Sequence, residues 1–89
     1  LPRPKKRFGQ HFLTDPRLLG RIADALAITR DDTVIEIGPG RGALTEQLLQ
    51  RAGRVIAIEL DRDLAPILRE RWKDEPRFAL VEGDVLEQD

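Results

Sequence analysis

The chain has 89 residues, 40% hydrophobic and 35% charged, with a net charge of −1, no cysteine and a single histidine, His11. That composition excludes a disulfide framework, a thiolate or histidine metal centre and a membrane-spanning run, and it fits a cytoplasmic protein. A doubly wound nucleotide fold usually takes nearer ~150 residues, so the length is that of part of a domain.

Residues 1–13 carry two prolines and no helical period, and they read as an extended arm. Arg3, Lys5, Lys6 and Arg7 make the arm basic, while the rest of the chain holds 11 basic and 16 acidic residues. A basic arm on an acidic body is a nucleic-acid contact or a solvated terminus. Thr14-Asp15-Pro16 starts a helix, with Thr14 or Asp15 as the cap and Pro16 in the first turn. Leu18, Leu19, Ile22, Ala23 and Leu26 fall on one face, and the helix is expected to end near Ile28.

Thr29 to Asp32 is a polar turn. Thr33 to Ile37 is short and β-branched, a buried strand. After the glycine loop, Leu44, Leu48, Leu49 and Ala52 repeat at helical spacing, and Gly53 stands where a helix C-terminal glycine belongs. Arg54 to Glu59 is a second buried strand. Asp63 can cap a third helix, with Pro66 in its first turn and Leu64, Ile67, Leu68 and Trp72 on its apolar face. Arg77 to Glu82 is a third strand, closed by Gly83-Asp84. A helix followed by β-α-β-α-β predicts an α/β fold, Rossmann-like, with a parallel three-stranded sheet and right-handed crossovers.

The loop Gly38-Pro39-Gly40-Arg41-Gly42 follows a strand and opens a helix. Glycines there allow positive φ and close approach of a ligand to the backbone. Gly38, Gly40 and Ala43 match the dinucleotide pattern G-x-G-x-x-[GA], and Glu59 stands near the ~20-residue spacing of a ribose-binding acid, so NAD is open on the loop alone. Glu36 argues against it. A carboxylate two residues before Gly38 would face the two negative charges of a pyrophosphate. The same carboxylate suits the sulfonium and ammonium of S-adenosylmethionine. No G-K-[ST] follows, which excludes a P-loop. Glu36, Glu59 and Asp84 all end strands, and in an open parallel sheet those ends form the ligand crevice. Glu59 can accept from both ribose hydroxyls. Asp84 can accept from an adenine amine while the Val85 amide donates to the ring.

These motifs in this order resemble those of the ribosomal RNA adenine dimethyltransferases of the kasugamycin-sensitivity type. The resemblance runs through Lys6-Arg7-Phe8-Gly9-Gln10-His11-Phe12-Leu13, Glu36 to Thr45, Ile58-Glu59-Leu60-Asp61 and Glu82-Gly83-Asp84-Val85-Leu86. It implies a class I S-adenosylmethionine methyltransferase fold. It also implies transfer of methyl groups to the N6 amines of two adjacent adenosines in small-subunit ribosomal RNA. Gln10, His11 and Leu13 would flank the methionine end of the cofactor, Gly38 and Gly40 would lie against it, Glu59 would bind the ribose and Asp84 the adenine. The erythromycin-resistance methyltransferases of large-subunit rRNA share the pattern but usually carry asparagine at the position of His11.

The family's catalytic Asn-Leu-Pro-Tyr follows a fourth strand that these residues do not supply, so no catalytic residue is assigned and the chain alone is expected to be inactive. The amine's lone pair is shared with the ring, and polar acceptors plus an aromatic face must hold the base in line with the methyl. A non-catalytic cofactor-binding module is the alternative reading. The expected organisation is the basic arm, 1–13, and the amino-terminal half of the cofactor domain, 14–89. Without a fourth strand, Val34, Ile35 and Ile37 form an exposed edge and one sheet face is bare, which predicts self-association.

Overall fold

The computed structural model describes residues 14–83. The elements run α1 (Pro16–Ala25), β1 (Thr33–Ile37), α2 (Ala43–Leu49), β2 (Arg54–Glu59), α3 (Ala65–Arg71) and β3 (Phe78–Glu82). The strands pair in the order β1-β2-β3, both pairs parallel, with Ile37 opposite Ile58 and Glu59 opposite Glu82. Two successive right-handed crossovers in one direction set both helices on the same face. Accordingly, α2 and α3 touch: Arg71 of α3 pairs with Glu46 of α2.

Asp15 caps α1 by accepting from the Arg17 amide at 3.0 Å, and Pro16 takes the first turn, where it loses no hydrogen bond. The helix ends at Ala25, a turn earlier than its hydrophobic spacing predicts. Ala27 adopts φ 54, and the Leu26 and Ala27 amides turn back to Ala23 and Asp24. That left-handed residue, unusual for alanine, closes the helix. On this helix Leu19 and Ala23 are buried, whereas Ile22 and, just beyond its end, Leu26 of the expected face are exposed.

The core joins Ala23, Leu48, Leu49, Ala52 and Val55, with Ile28, Val34, Leu44, Trp72 and Phe78 packed around it. Two distant arginines serve the C-terminal end of α2. Arg30 and Arg77 each donate to the carbonyls of Leu49 and Ala52, and Arg30 also reaches Gln50. These are carbonyls a helix end leaves without partners, and cations suit that end of the dipole. Arg77 also pairs with Glu75 and holds that carboxyl below its usual range.

Three expectations need correction here. Gly53 is not a left-handed helix stop: it forms the bend just before β2, and a Cβ on it would sit 2.0 Å from the Arg30 carbonyl oxygen. Its glycine is a matter of space. Asp63 does not cap α3; the cap position is Leu64, with no side-chain bond, and Asp61 organises the turn by accepting from the Asp63, Leu64 and Ala65 amides. Finally, Val34 does not join the exposed edge: β1 is covered on one face, where Val34 packs against the core, and only its other face is bare as expected. Val34 and Glu36 turn toward the helices, while Ile35 and Ile37 are 62% and 77% exposed. With Ile56, Ile58, Ala79 and Val81 in register beside them, they form one apolar sheet face that no helix among the described residues covers.

Candidate ligand site at the glycine loop

The loop is pinned to the carboxyl end of β2. The Gly38 amide donates to the Ile58 carbonyl at 2.8 Å, and the Gly40 amide donates to Glu59 Oε1 at 3.1 Å. Glu59 Oε2 accepts from the Asp61 amide at 3.0 Å. Glu59 is only 5% exposed, so this carboxylate ties the loop after β1 to the turn after β2. A buried carboxylate is tolerated because both oxygens are served by backbone donors.

Gly38, Gly40 and Gly42 all have positive φ, at 70, 62 and 91. Their surroundings differ. A Cβ on Gly38 or Gly40 would meet nothing within 4 Å, whereas one on Gly42 would lie 2.3 Å from the Trp72 ring. The first two leave open backbone that a ligand can approach. The third is filled by the protein itself, so Gly42 is a packing glycine rather than part of the cradle.

Glu36 is the penultimate residue of β1, just before the loop, and points to the helix face. Its Oε1 accepts from the fully buried Thr45 hydroxyl of α2 at 2.5 Å. Burial pushes the Glu36 carboxyl above its ordinary range; the Thr45 bond pulls it back, and the charge of Glu59 adds to the rise. Glu36, Gly38 and Gly40 line one cleft of 610 Å³, walled on its far side by Leu19 and Ile22 of α1. Glu59, Asp61, Glu82 and Gly83 line a second cleft of 390 Å³ on the other side of the β2 end. The first volume lies in the usual range for small-molecule sites. A ligand laid across the loop would thus meet Glu36 at one end and Glu59 at the other. The donor set fits S-adenosylmethionine: open glycine backbone, a carboxylate for a cationic end, and a carboxylate for hydroxyls.

Of the expected site residues, the structure brings Glu36, Gly38, Gly40 and Glu59 together. Gln10, His11, Leu13, Asp84 and Val85, and the basic Arg3, Lys5, Lys6 and Arg7, lie outside the described residues. Thr45 closes the motif that begins at Glu36, but the sequence assigns it no role of its own. Its signal was a polar residue on an otherwise apolar stripe, since Thr45, Leu48, Leu49 and Ala52 also keep helical spacing. Among the described residues no group of His, Cys, Asp and Glu could hold a metal ion, and no helix is long and apolar enough to cross a membrane.

Several solved structures with this fold are methyltransferases. The 23S rRNA methyltransferase ErmE aligns with a TM-score of 0.73 at 37% identity, over 84% of this chain and 31% of that one. A dimethyladenosine transferase from Plasmodium falciparum aligns with 0.72 at 32% identity, over 85% and 28%. The SAM-bound amino pentose methyltransferase CalS10 from Micromonospora echinaspora aligns with 0.60 at 27% identity, over 80% and 30%.

Within that class the assignment is narrower: the family model for ribosomal RNA adenine dimethylases matches residues 2–89, and the chain belongs to that family. It is similar to the ribosomal RNA small subunit methyltransferase A of Synechococcus sp. (strain WH7803), 61% identical over 84 residues, covering 93% of this chain and 30% of the relative. The protein of the same name from Geobacter metallireducens is 49% identical over 87 residues, covering 98% and 32%. The chain therefore spans about a third of the length of the curated relatives it matches.

Proposed function

We propose that these residues form the S-adenosylmethionine-binding part of an rRNA adenine-N6,N6-dimethyltransferase that acts in the cytoplasm on two adjacent adenosines of small-subunit rRNA. The observation that carries this reading is the open backbone at Gly38 and Gly40 with Glu36 on one side and Glu59 on the other. Glu36 would face the cationic amino-acid end, Glu59 the ribose hydroxyls, and Asp84 and Val85 the adenine. Gln10, His11 and Leu13 would close the methionine end. When bound, the cofactor supplies an electrophilic methyl on sulfur.

Arg3, Lys5, Lys6 and Arg7 would neutralise rRNA phosphates ahead of α1, with 1–13 serving as an arm and 14–89 as the first half of the cofactor domain. The small-subunit choice draws on relatives at 49–61% identity that carry that name, against 37% for the large-subunit enzyme ErmE. These 89 residues contain neither asparagine nor tyrosine, the two polar members of the family's catalytic motif. Turnover on rRNA is expected only with the remaining two thirds of the relatives' length.

Titration calorimetry tests the cofactor. S-adenosylmethionine is expected to bind and NAD not to, because Glu36 would repel a pyrophosphate. NAD binding without S-adenosylmethionine binding would overturn the reading. The apolar face of Ile35, Ile37, Ile56, Ile58 and Val81 carries a second expectation for the 89 residues alone. Contiguous apolar patches of this kind drive association. Sedimentation velocity should show oligomers that grow with concentration, and a monomer at every concentration would refute it.

A further inference from the structure

We propose that Thr45 is a positioning residue: its hydroxyl holds Glu36 aimed into the cleft between α1 and the glycine loop, as the acceptor for the cationic end of the ligand. The inference rests on the S-adenosylmethionine reading above and adds a residue to it.

The geometry is specific. Thr45 is fully buried in the first turn of α2, between the helix and the sheet. A threonine hydroxyl inside a helix usually donates to a carbonyl three or four residues back. Here the carbonyl four back, that of Arg41, accepts from Arg71 instead, and the Thr45 hydroxyl is turned across to β1, where it donates to Glu36 Oε1. Glu36 Oε2 makes no hydrogen bond among the described residues, and no buried polar side-chain atom there lacks a partner, so Oε2 opens on the cleft that Glu36 lines. One oxygen is anchored and the other is presented.

The surroundings explain why an anchor is needed. The α1 wall opposite is Leu19 and Ile22, which offer no charge. From β2, Glu59 opposes a second negative charge, and Arg41 of the loop lines the cleft but keeps its side chain exposed. Burial and Glu59 both favour the neutral acid, and of the groups acting on Glu36 the Thr45 hydroxyl alone favours the carboxylate. A cationic ligand needs that carboxylate. Its affinity should fall as pH drops through the Glu36 titration, and losing the Thr45 hydroxyl should bring that fall on at higher pH.

The test uses the whole protein with Thr45→Val, which keeps shape and removes the donor, and Thr45→Ser, which restores it. Calorimetry with S-adenosylmethionine from about pH 5 to pH 8 is read beside the Glu36 carboxyl titration by ¹³C NMR. We expect T45V to weaken binding about tenfold, with the acid limb and the carboxyl titration moved together toward higher pH, and T45S to return both toward wild type. If T45V leaves the acid limb in place, or weakens binding equally at every pH, Thr45 only packs and the inference fails alone. If the wild-type protein binds no S-adenosylmethionine, the functional reading fails and takes this inference with it.

Discussion

Glu59→Gln is expected to weaken S-adenosylmethionine binding about 100-fold and to lower folding stability by about 1–3 kcal/mol. The two losses have different origins. In the folded chain Glu59 accepts from the Gly40 amide through one oxygen and the Asp61 amide through the other. Glutamine offers one oxygen and one NH₂, so one of these backbone donors would face another donor at a buried site. That accounts for the stability loss. For the ligand, the two ribose hydroxyls proposed to donate to Glu59 would make charge-assisted bonds, and an amide would replace them with weaker ones. The loop also shifts, because the Gly40 amide is one of the tethers that shape it. Thermal denaturation measures the first loss and calorimetry the second. An analogue without ribose hydroxyls separates the loop from the ribose. If Glu59 acts on the ribose alone, E59Q and wild type bind the analogue equally. The hydrogen bond to Gly40 predicts that E59Q still binds it more weakly.

Much of this site was legible because strands are. The β-branched runs before Gly38 and at 54–59 place Glu36 and Glu59 at strand ends, and parallel order then brings those ends together. The α2 period was equally plain, although the helix stops at Leu49 rather than reaching Ala52, and the α1 cap was narrowed to Thr14 or Asp15. What failed to show depends on a neighbour distant in sequence. Nothing local says that Gly53 sits against the Arg30 carbonyl, or that Arg30 and Arg77 converge on one helix end. Ala27 carries a left-handed turn that a sequence reading assigns to glycine or asparagine, so α1 reads too long. Thr45 was hidden for a different reason. A lone threonine on an apolar stripe looks like tolerated packing until its partner, nine residues earlier, is seen to be a carboxylate.

Gly42→Ala is expected to cost about 2–4 kcal/mol of stability, while Gly40→Ala costs about 1 kcal/mol and instead removes ligand binding. Both positions have positive φ, so each alanine bears the strain of a left-handed residue. Only at position 42 does the new methyl collide, 2.3 Å from one Trp72 ring carbon and 2.7 Å from another. Trp72 cannot swing aside freely. Its ring packs on Phe78 at 5.0 Å between centroids, and the Arg71 guanidinium lies over it at 4.4 Å. Arg71 in turn bonds the Arg41 carbonyl and Glu46, so pushing Trp72 disturbs the start of α2 as well. At position 40 the methyl enters open space, and it is the ligand's approach to the backbone that is blocked. Melting temperature and S-adenosylmethionine affinity should therefore separate: G42A loses mainly the first, G40A mainly the second. A double variant sharpens the point. Trp72→Leu shortens the colliding side chain, so Gly42→Ala should cost at least about 1 kcal/mol less in that background than in the wild type. Equal costs in both backgrounds would mean that strain at φ 91, and not Trp72, is what requires glycine there.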